Sequence, residues 1–370
     1  MSNYCDLAVP GVQSLIPYQP GKPIDELQRE LGLQNIIKLA SNENPLGPGE
    51  MAISAINNEL NDLARYPDGN GFELKHKLAG IHNIQADQIT LGNGSNDILE
   101  FVARTFVSMG DEVIFSQHAF AVYPLVTQAI GGIICEVPAK DWGHDLQAML
   151  IRITDKTRLI FIANPNNPTG TWLTKEELIN FLQHVPKNII VVLDEAYFEY
   201  AHAPEMGFAE YPDGIELLGQ FKNLVVTRTF SKAYGLAGLR VGFGISNIEI
   251  ADLLNRVRQP FNVNSLALAA ATAALDDQDH IHQSVLLNKQ GMLELTNAFS
   301  SLSLAYIPSA GNFVCFDPGY EAEPIYTGLL KQGVIVRPVK NYSMPNHLRV
   351  TIGTADENKI FIAALSKVLK

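Results

Sequence analysis

Between residues 111 and 228, short apolar runs alternate with longer stretches in which apolar positions recur at helical spacing. The runs 111–116, 133–138, 159–163, 189–193 and 224–228 are rich in Val, Ile and Phe and lack polar alternation. That pattern predicts strands covered on both faces, because a strand with one wet face alternates apolar with polar residues. Thr174, Lys175, Glu176 and Glu177 spell a capping box, which predicts a helix over 178–184 between two of these strands. Strand–helix–strand alternation implies an α/β fold, with a mostly parallel central sheet, helices on both faces, and ligands at the carboxyl ends of the strands.

From about Gln259 the pattern changes. Helical periodicity over 266–299 leads to short strands at 313–316, 333–337 and 347–352, and then to a terminal helix over 357–370. This predicts a smaller α+β domain. The expected division is an N-terminal arm over 1–45 packing with the small domain, a large domain over 46–260, and a small C-terminal domain over 261–370. Pro17, Pro20, Gly21 and Pro23 set the arm apart from the sheet.

Composition narrows the function. A chain of 370 residues exceeds what one core usually organises. Its 27 Lys and Arg against 39 Asp and Glu leave a net charge of -12, which argues against a nucleic-acid groove or an anionic membrane surface. A small anion held by a few convergent arginines remains compatible. No run approaches the roughly 18 apolar residues of a membrane-spanning helix. The first ten residues lack a cationic stretch followed by an apolar one, so no signal peptide is expected. Cys5, Cys135 and Cys315 are far apart, which suggests neither a disulfide framework nor a metal site. The expectation is a cytoplasmic protein.

Four segments carry candidate chemistry. In the first, Thr229, Ser231, Lys232, Gly235, Gly238 and Arg240 follow the strand 224–228 directly. Hydroxyls, an arginine and glycines around an amine make a phosphate-binding constellation, whereas a solvated loop lysine would account for Lys232 alone. In the second, Asp194 ends an apolar strand and is followed by Tyr197. A carboxylate there suits the partner of a buried cation better than a metal ligand, and a helix cap is its plainer reading. The third runs from Asn164 through Asn167 to Gly170; an ordinary turn is its plainer reading, and the functional one has Asn167 point its amide into the cleft at the strand's end. The fourth, from Leu91 through Gly94, Ser95 and Asn96 to Asp97, opens a helix over 98–106 and offers backbone N–H groups to a phosphate.

Together these segments resemble the fold-type I pyridoxal-phosphate aminotransferases, and within them the histidinol-phosphate aminotransferase family most closely. The resemblance is effectively full-length. It includes Tyr18 to Gly21, Lys38 to Gly47 with Asn42, Glu43, Asn44 and Pro45, Arg65 to Gly69, and Arg349 to Thr354. It implies pyridoxal 5'-phosphate as cofactor, bound as a Schiff base to Lys232, which then carries the substrate proton. Asp194 would hold the pyridine nitrogen protonated, and Asn167 and Tyr197 would bond the ring's phenolic oxygen. Ser95, Asn96, Thr229, Ser231 and Arg240 would form the phosphate cup. Phe120 falls where the family commonly stacks a tyrosine on the ring, although an ordinary core aromatic fits it about as well. Tyr66 would come from the other subunit of a homodimer.

The same resemblance assigns substrate binding to Arg349, Arg337, Tyr18 and Asn42, with a surface ion pair as the competing reading of Arg337. The implied reaction moves an amino group between L-histidinol phosphate and 2-oxoglutarate, giving imidazole acetol phosphate and glutamate, in histidine biosynthesis. An aromatic amino acid aminotransferase and a decarboxylase of a phosphorylated amino acid are the alternatives on the same residues. A non-catalytic regulator would need an attached DNA-binding module, and a dinucleotide-binding dehydrogenase would leave the Ser231–Lys232 segment unexplained.

Overall fold

The computed structural model describes residues 4–370. Among these the strands are, in chain order, β1 Ile37–Lys38, β2 Ile89–Gly92, β3 Glu112–Ser116, β4 Ile133–Val137, β5 Thr157–Ala163, β6 Ile190–Asp194 and β7 Leu224–Thr229. They continue with β8 Gly242–Ser246, β9 Ala305–Ile307, β10 Phe313–Asp317, β11 Val334–Ile335, β12 Arg337–Pro338 and β13 Leu348–Thr351. The main sheet has seven strands in the order β2-β8-β7-β6-β5-β3-β4. The pairings within β7-β6-β5-β3-β4 are parallel, and β8 is antiparallel to both of its neighbours.

Both faces of this sheet are buried along β3, β5, β6 and β7, as the unalternating apolar runs predict, while the edge strand β4 leaves Ile133 and Ile134 exposed. Ile114, Ile160, Ile162, Val191, Leu193 and Val226 enter one apolar cluster, while Val113, Phe115, Leu159, Phe161, Val192 and Val225 enter the other. Helices Phe72–His82, Lys175–His184 and Ser265–Ala274 cover the first face, and Ser95–Phe106, Val122–Ala129 and Ile248–Val257 cover the second. Each fully buried aliphatic or aromatic side chain contributes on the order of 1.5–3 kcal/mol. The capping box forms as read: the Thr174 amide donates to Glu177 Oε2 at 2.8 Å, and the Glu177 amide donates back to Thr174 Oγ1 at 3.2 Å.

A second, antiparallel sheet of four strands runs β12-β13-β10-β9. Its core gathers Leu295, Phe299, Phe316, Leu348, Val350 and Phe361 with the helices Gln278–Ser301, Ala322–Lys331 and Ala355–Val368. The N-terminal residues contribute regular structure. Ile24–Leu31 is helical, β1 pairs in parallel with β11, and Leu39 enters the smaller core.

Three features differ from the sequence reading. The periodic stretch 266–299 is two helices, Ser265–Ala274 and Gln278–Ser301. Asp277 starts the second by accepting a hydrogen bond from the His280 amide. The first packs on Glu50–Glu59 and shares the larger core through Ala267, Ala270 and Ala271, so the change of core comes after the change of pattern. The run 333–337 divides between two sheets, as β11 and β12. Strands β2 and β8 were not anticipated. Gly242 and Gly244 mask β8, yet both are required: a Cβ on Gly244 would lie 2.6 Å from Ile98.

Candidate active site

The carboxyl ends of β5, β6 and β7, the N-terminus of helix Ser95–Phe106 and the antiparallel pair β12–β13 surround a cavity of about 370 Å³. Lining it are Tyr18, Asn42, Ser95, Asn96, Phe120, Asn167, Asp194, Tyr197, Thr229, Ser231, Lys232, Arg240, Arg337 and Arg349. Every residue given a catalytic or binding role from the sequence is therefore brought together except Tyr66. Tyr66 is exposed, lies outside this cavity and stacks on Phe261 with ring centroids 4.7 Å apart. A larger depression of about 640 Å³ beside Trp142 and Trp172 gathers none of these residues.

Lys232 projects from the turn after β7, and its ammonium donates to the Ser41 carbonyl at 3.0 Å. Desolvation in the cavity, reinforced by the nearby Arg349, lowers its pKa to about 7. A lysine so placed has much of its population neutral, the state a nucleophilic amine requires.

Asp194, the last residue of β6, is buried. Desolvation raises its pKa, opposed first by two hydroxyl donors, Tyr123 to Oδ2 at 2.8 Å and Thr227 to Oδ1 at 3.0 Å, and then by the Ala196 amide and the charge of Lys232. Neither Tyr123 nor Thr227 was singled out from the sequence. The signal for Thr227 was its place on the strand beside Asp194, whereas that for Tyr123 needed the packing of helix Val122–Ala129. On the opposite face of the same strand ends, the buried Arg228 binds Glu195 at 2.7 Å and Asp213 at 2.6 Å and lies 3.3 Å over the Phe198 ring. A buried pair of this kind is weak evidence of stability, but it ties the ends of β6 and β7 together.

Two polar groups converge beside Asp194. The Tyr197 hydroxyl accepts from Asn42 Nδ2 at 2.8 Å, which leaves its own proton free to donate. Burial pushes Tyr197 up to about 12, so it remains a phenol. Asn167 uses its amide oxygen to accept from Arg349, so its amide nitrogen stays available. Asn42 holds a positive φ of 56° and is fixed by a hydrogen bond from its amide to Thr351 Oγ1 at 2.9 Å.

The opposite wall suits a phosphate. Helix Ser95–Phe106 has no side-chain cap, so its first amides are open to an anion. The Arg240 guanidinium rests against Gly94, where a Cβ would fall 2.5 Å from Nη2, and it donates to Ser231 Oγ at 3.4 Å. Only glycine permits this approach, and Gly94 also needs its φ of 83°. At the far end lie Arg337 and Arg349, both buried, with the Arg349 Nε unpartnered. No group of His, Cys, Asp or Glu able to hold a metal occurs among the described residues.

Comparison with known proteins agrees with this chemistry. Residues 34–365 match the model of the aminotransferase class I and II family. A Pseudomonas fluorescens protein named histidinol-phosphate aminotransferase 2 is 60% identical over 99% of this chain and 98% of its own length. A Pseudomonas aeruginosa protein of the same name is 58% identical over 100% and 99%. Among solved structures, histidinol-phosphate aminotransferase from Sinorhizobium meliloti, determined in complex with pyridoxal-5'-phosphate, superposes with a TM-score of 0.87 at 30% identity, covering 97% of this chain and 96% of that one. The chain belongs to the class I and II aminotransferases.

Proposed function

We propose that the protein transfers the amino group between L-histidinol phosphate and 2-oxoglutarate, with pyridoxal 5'-phosphate held at Lys232. The observation that carries the substrate assignment is the pair Arg337 and Arg349. Both are buried on the cavity wall, and neither forms an ion pair with a carboxylate among the described residues. Two desolvated guanidinium groups without a counterion require an anion from outside. Guanidinium forks accept either a carboxylate or a phosphate monoester, and this reaction presents one of each in turn. The 60% identity to a histidinol-phosphate aminotransferase supports the same choice.

The cavity fits the cofactor. The uncapped helix at Ser95, Arg240 against Gly94, and the hydroxyls of Thr229 and Ser231 would take its phosphate. Asp194 would face the ring nitrogen, Phe120 the ring face, and Asn167 and Tyr197 the phenolic oxygen, to which both have a free donor. When bound, the cofactor draws electrons from the carbon whose proton is removed. Lys232, with its pKa lowered to about 7 so that much of its population is neutral, would hold the cofactor through its amine and, when freed, would serve as the base that carries the substrate proton. Tyr18 and Arg337 cover the mouth: the guanidinium donates to the Gln19 carbonyl at 2.5 Å and lies 5.6 Å from the Tyr18 ring.

A homodimer in the cytoplasm completes this reading, with Tyr66 reaching the partner's cofactor. Its support is the exposed side chains of Leu60, Leu63, Tyr66, Phe72 and Phe261, of which Tyr66 and Phe261 stack on each other. The whole reading is tested by mixing cofactor-loaded protein with L-histidinol phosphate without keto acid. Loss of the bound cofactor's visible absorbance, restored by 2-oxoglutarate, is expected. Loss only with phenylalanine or tyrosine would assign the protein to aromatic amino acids instead. Carbon dioxide release from a phosphorylated amino acid would make it a decarboxylase.

A further inference from the structure

Two neutral hydroxyls from different elements donate to Asp194, one to each oxygen, beside a backbone hydrogen bond from Ala196. Tyr123 Oη donates to Oδ2 at 2.8 Å from helix Val122–Ala129, and Thr227 Oγ1 donates to Oδ1 at 3.0 Å from β7. Neither donor is free to wander. The Tyr123 ring stacks on Phe161 with centroids 4.5 Å apart and an interplanar angle of 3°, and meets Phe120 edge-on at 5.9 Å. Thr227 stands opposite Asp194 in the register of β6 with β7. Both donors are buried to within 1% of complete exclusion from solvent, so no water competes for the carboxylate from that side.

We propose that Tyr123 and Thr227 are positioning residues that keep the proton on the cofactor's ring nitrogen rather than on Asp194. The inference rests on the reading that this cavity holds pyridoxal phosphate. A carboxylate facing a protonated ring nitrogen in a dry site has two ways to share one proton. As an ion pair, the N–H bond stays on the ring and the carboxylate keeps its charge. As a neutral pair, the N–H bond breaks, an O–H bond forms on the carboxyl, and both charges vanish. Burial favours the neutral pair. Hydrogen bonds donated to the carboxylate favour the ion pair; here each oxygen receives one from a hydroxyl, the Ala196 amide adds another, and a lone pair remains for the ring N–H. Burial raises the Tyr123 phenol well above its ordinary pKa, so it stays a donor rather than adding a second negative charge. Only the protonated ring is a strong electron sink. The two hydroxyls therefore act on the rate through Asp194 without touching substrate.

The test is the protonation state itself, read from the chemical shift of an isotope-labelled ring nitrogen in pyridoxal phosphate bound to the whole protein. Wild type is expected to show a protonated nitrogen. Tyr123→Phe, and more so Tyr123→Phe with Thr227→Val, is expected to move the shift toward the unprotonated position. In the same variants kcat should fall about tenfold to a hundredfold, the effect of losing a hydrogen bond to a charged group, with KM changed less than about threefold. Thr227→Ser keeps its donor and should behave as wild type. If Tyr123→Phe does not fold, Thr227→Val alone carries the test, because it leaves the aromatic stack intact. A ring nitrogen still protonated in the variants, or kcat within twofold of wild type, would overturn the inference. Failure of wild type to bind the cofactor would instead overturn the reading beneath it.

Discussion

Arg337 and Arg349 stand directly opposite each other across the antiparallel pair β12–β13, so their side chains leave the same face of the sheet. Like charges at such a position cost about 0.2–1 kcal/mol, and the Arg349 Nε has no partner at all. The arrangement trades stability for an anion site. Arg349→Ala is expected to raise KM for both the phosphorylated donor and the keto acid by about tenfold to a hundredfold, since charge-assisted bonds contribute about 1.5–3 kcal/mol. Unchanged KM for both would remove Arg349 from the site. Arg337→Met should raise the melting temperature of the ligand-free protein while reducing the stabilisation that inorganic phosphate gives it.

Lys232 makes the cofactor-free protein respond to pH. Its folded pKa of about 7 lies below the ordinary 10.5, so between those values the unfolded chain binds the extra proton. Stability from this group therefore rises with pH across that window and is lost as pH falls toward 7. Urea unfolding of the cofactor-free protein at pH 7 and pH 9 should show the rise, and Lys232→Met should abolish it. Rebinding of pyridoxal phosphate should accelerate with a midpoint near pH 7 in wild type.

Two glycines of the phosphate cradle should fail differently. A Cβ on Gly242 would lie 2.4 Å from the Ser95 amide nitrogen and 2.8 Å from the Gly94 carbonyl carbon, both backbone atoms. Gly242→Ala is expected to destabilise the fold by about 1–3 kcal/mol, as overpacking does. Gly94→Ala meets the movable end of Arg240 instead. It should displace the guanidinium and weaken cofactor affinity beyond any loss of stability, measured by titrating cofactor into each variant alongside thermal melts.

Thr174→Ala provides the control. It breaks a capping box on helix Lys175–His184, whose residues line no part of the cavity. A loss of about 0.5–2 kcal/mol in stability is expected, with kcat and KM unchanged.

Much of this was legible in the chain, for identifiable reasons. Strands β3, β5, β6 and β7 were legible because burial on both faces leaves long apolar runs in them, and the edge strand β4 was legible from its apolar run although Ile133 and Ile134 are exposed. Lys232, Asp194 and Asn167 were legible because they sit where such strands end. Residues whose role depends on packing rather than position were not. Tyr123 reads as one more aromatic until helix Val122–Ala129 turns its hydroxyl toward Asp194. Strand β8 hid behind glycines that close backbone approach demands, and the helix over 266–299 hid a break because Leu275, Asp276 and Asp277 interrupt its pattern so briefly. The burial of Arg337 could not be told from a surface ion pair without the register of β12 on β13.

The antiparallel insertion of β8 has a consequence for the order in which the protein matures. β8 joins β2 to β7 and thereby brings Gly94 and Ser95 beside Arg240, although some 140 residues separate them in the chain. A nascent chain that has emerged only as far as β7 owns the lysine-side strand and the helix amides but has no strap to join them. Until residue 246 has emerged the phosphate cradle lacks a strand, and until residue 349 has emerged the arginine pair that would meet a substrate is incomplete. The residues of the phosphate cradle are thus all present before the last third of the chain is made, and the arginine pair only near release.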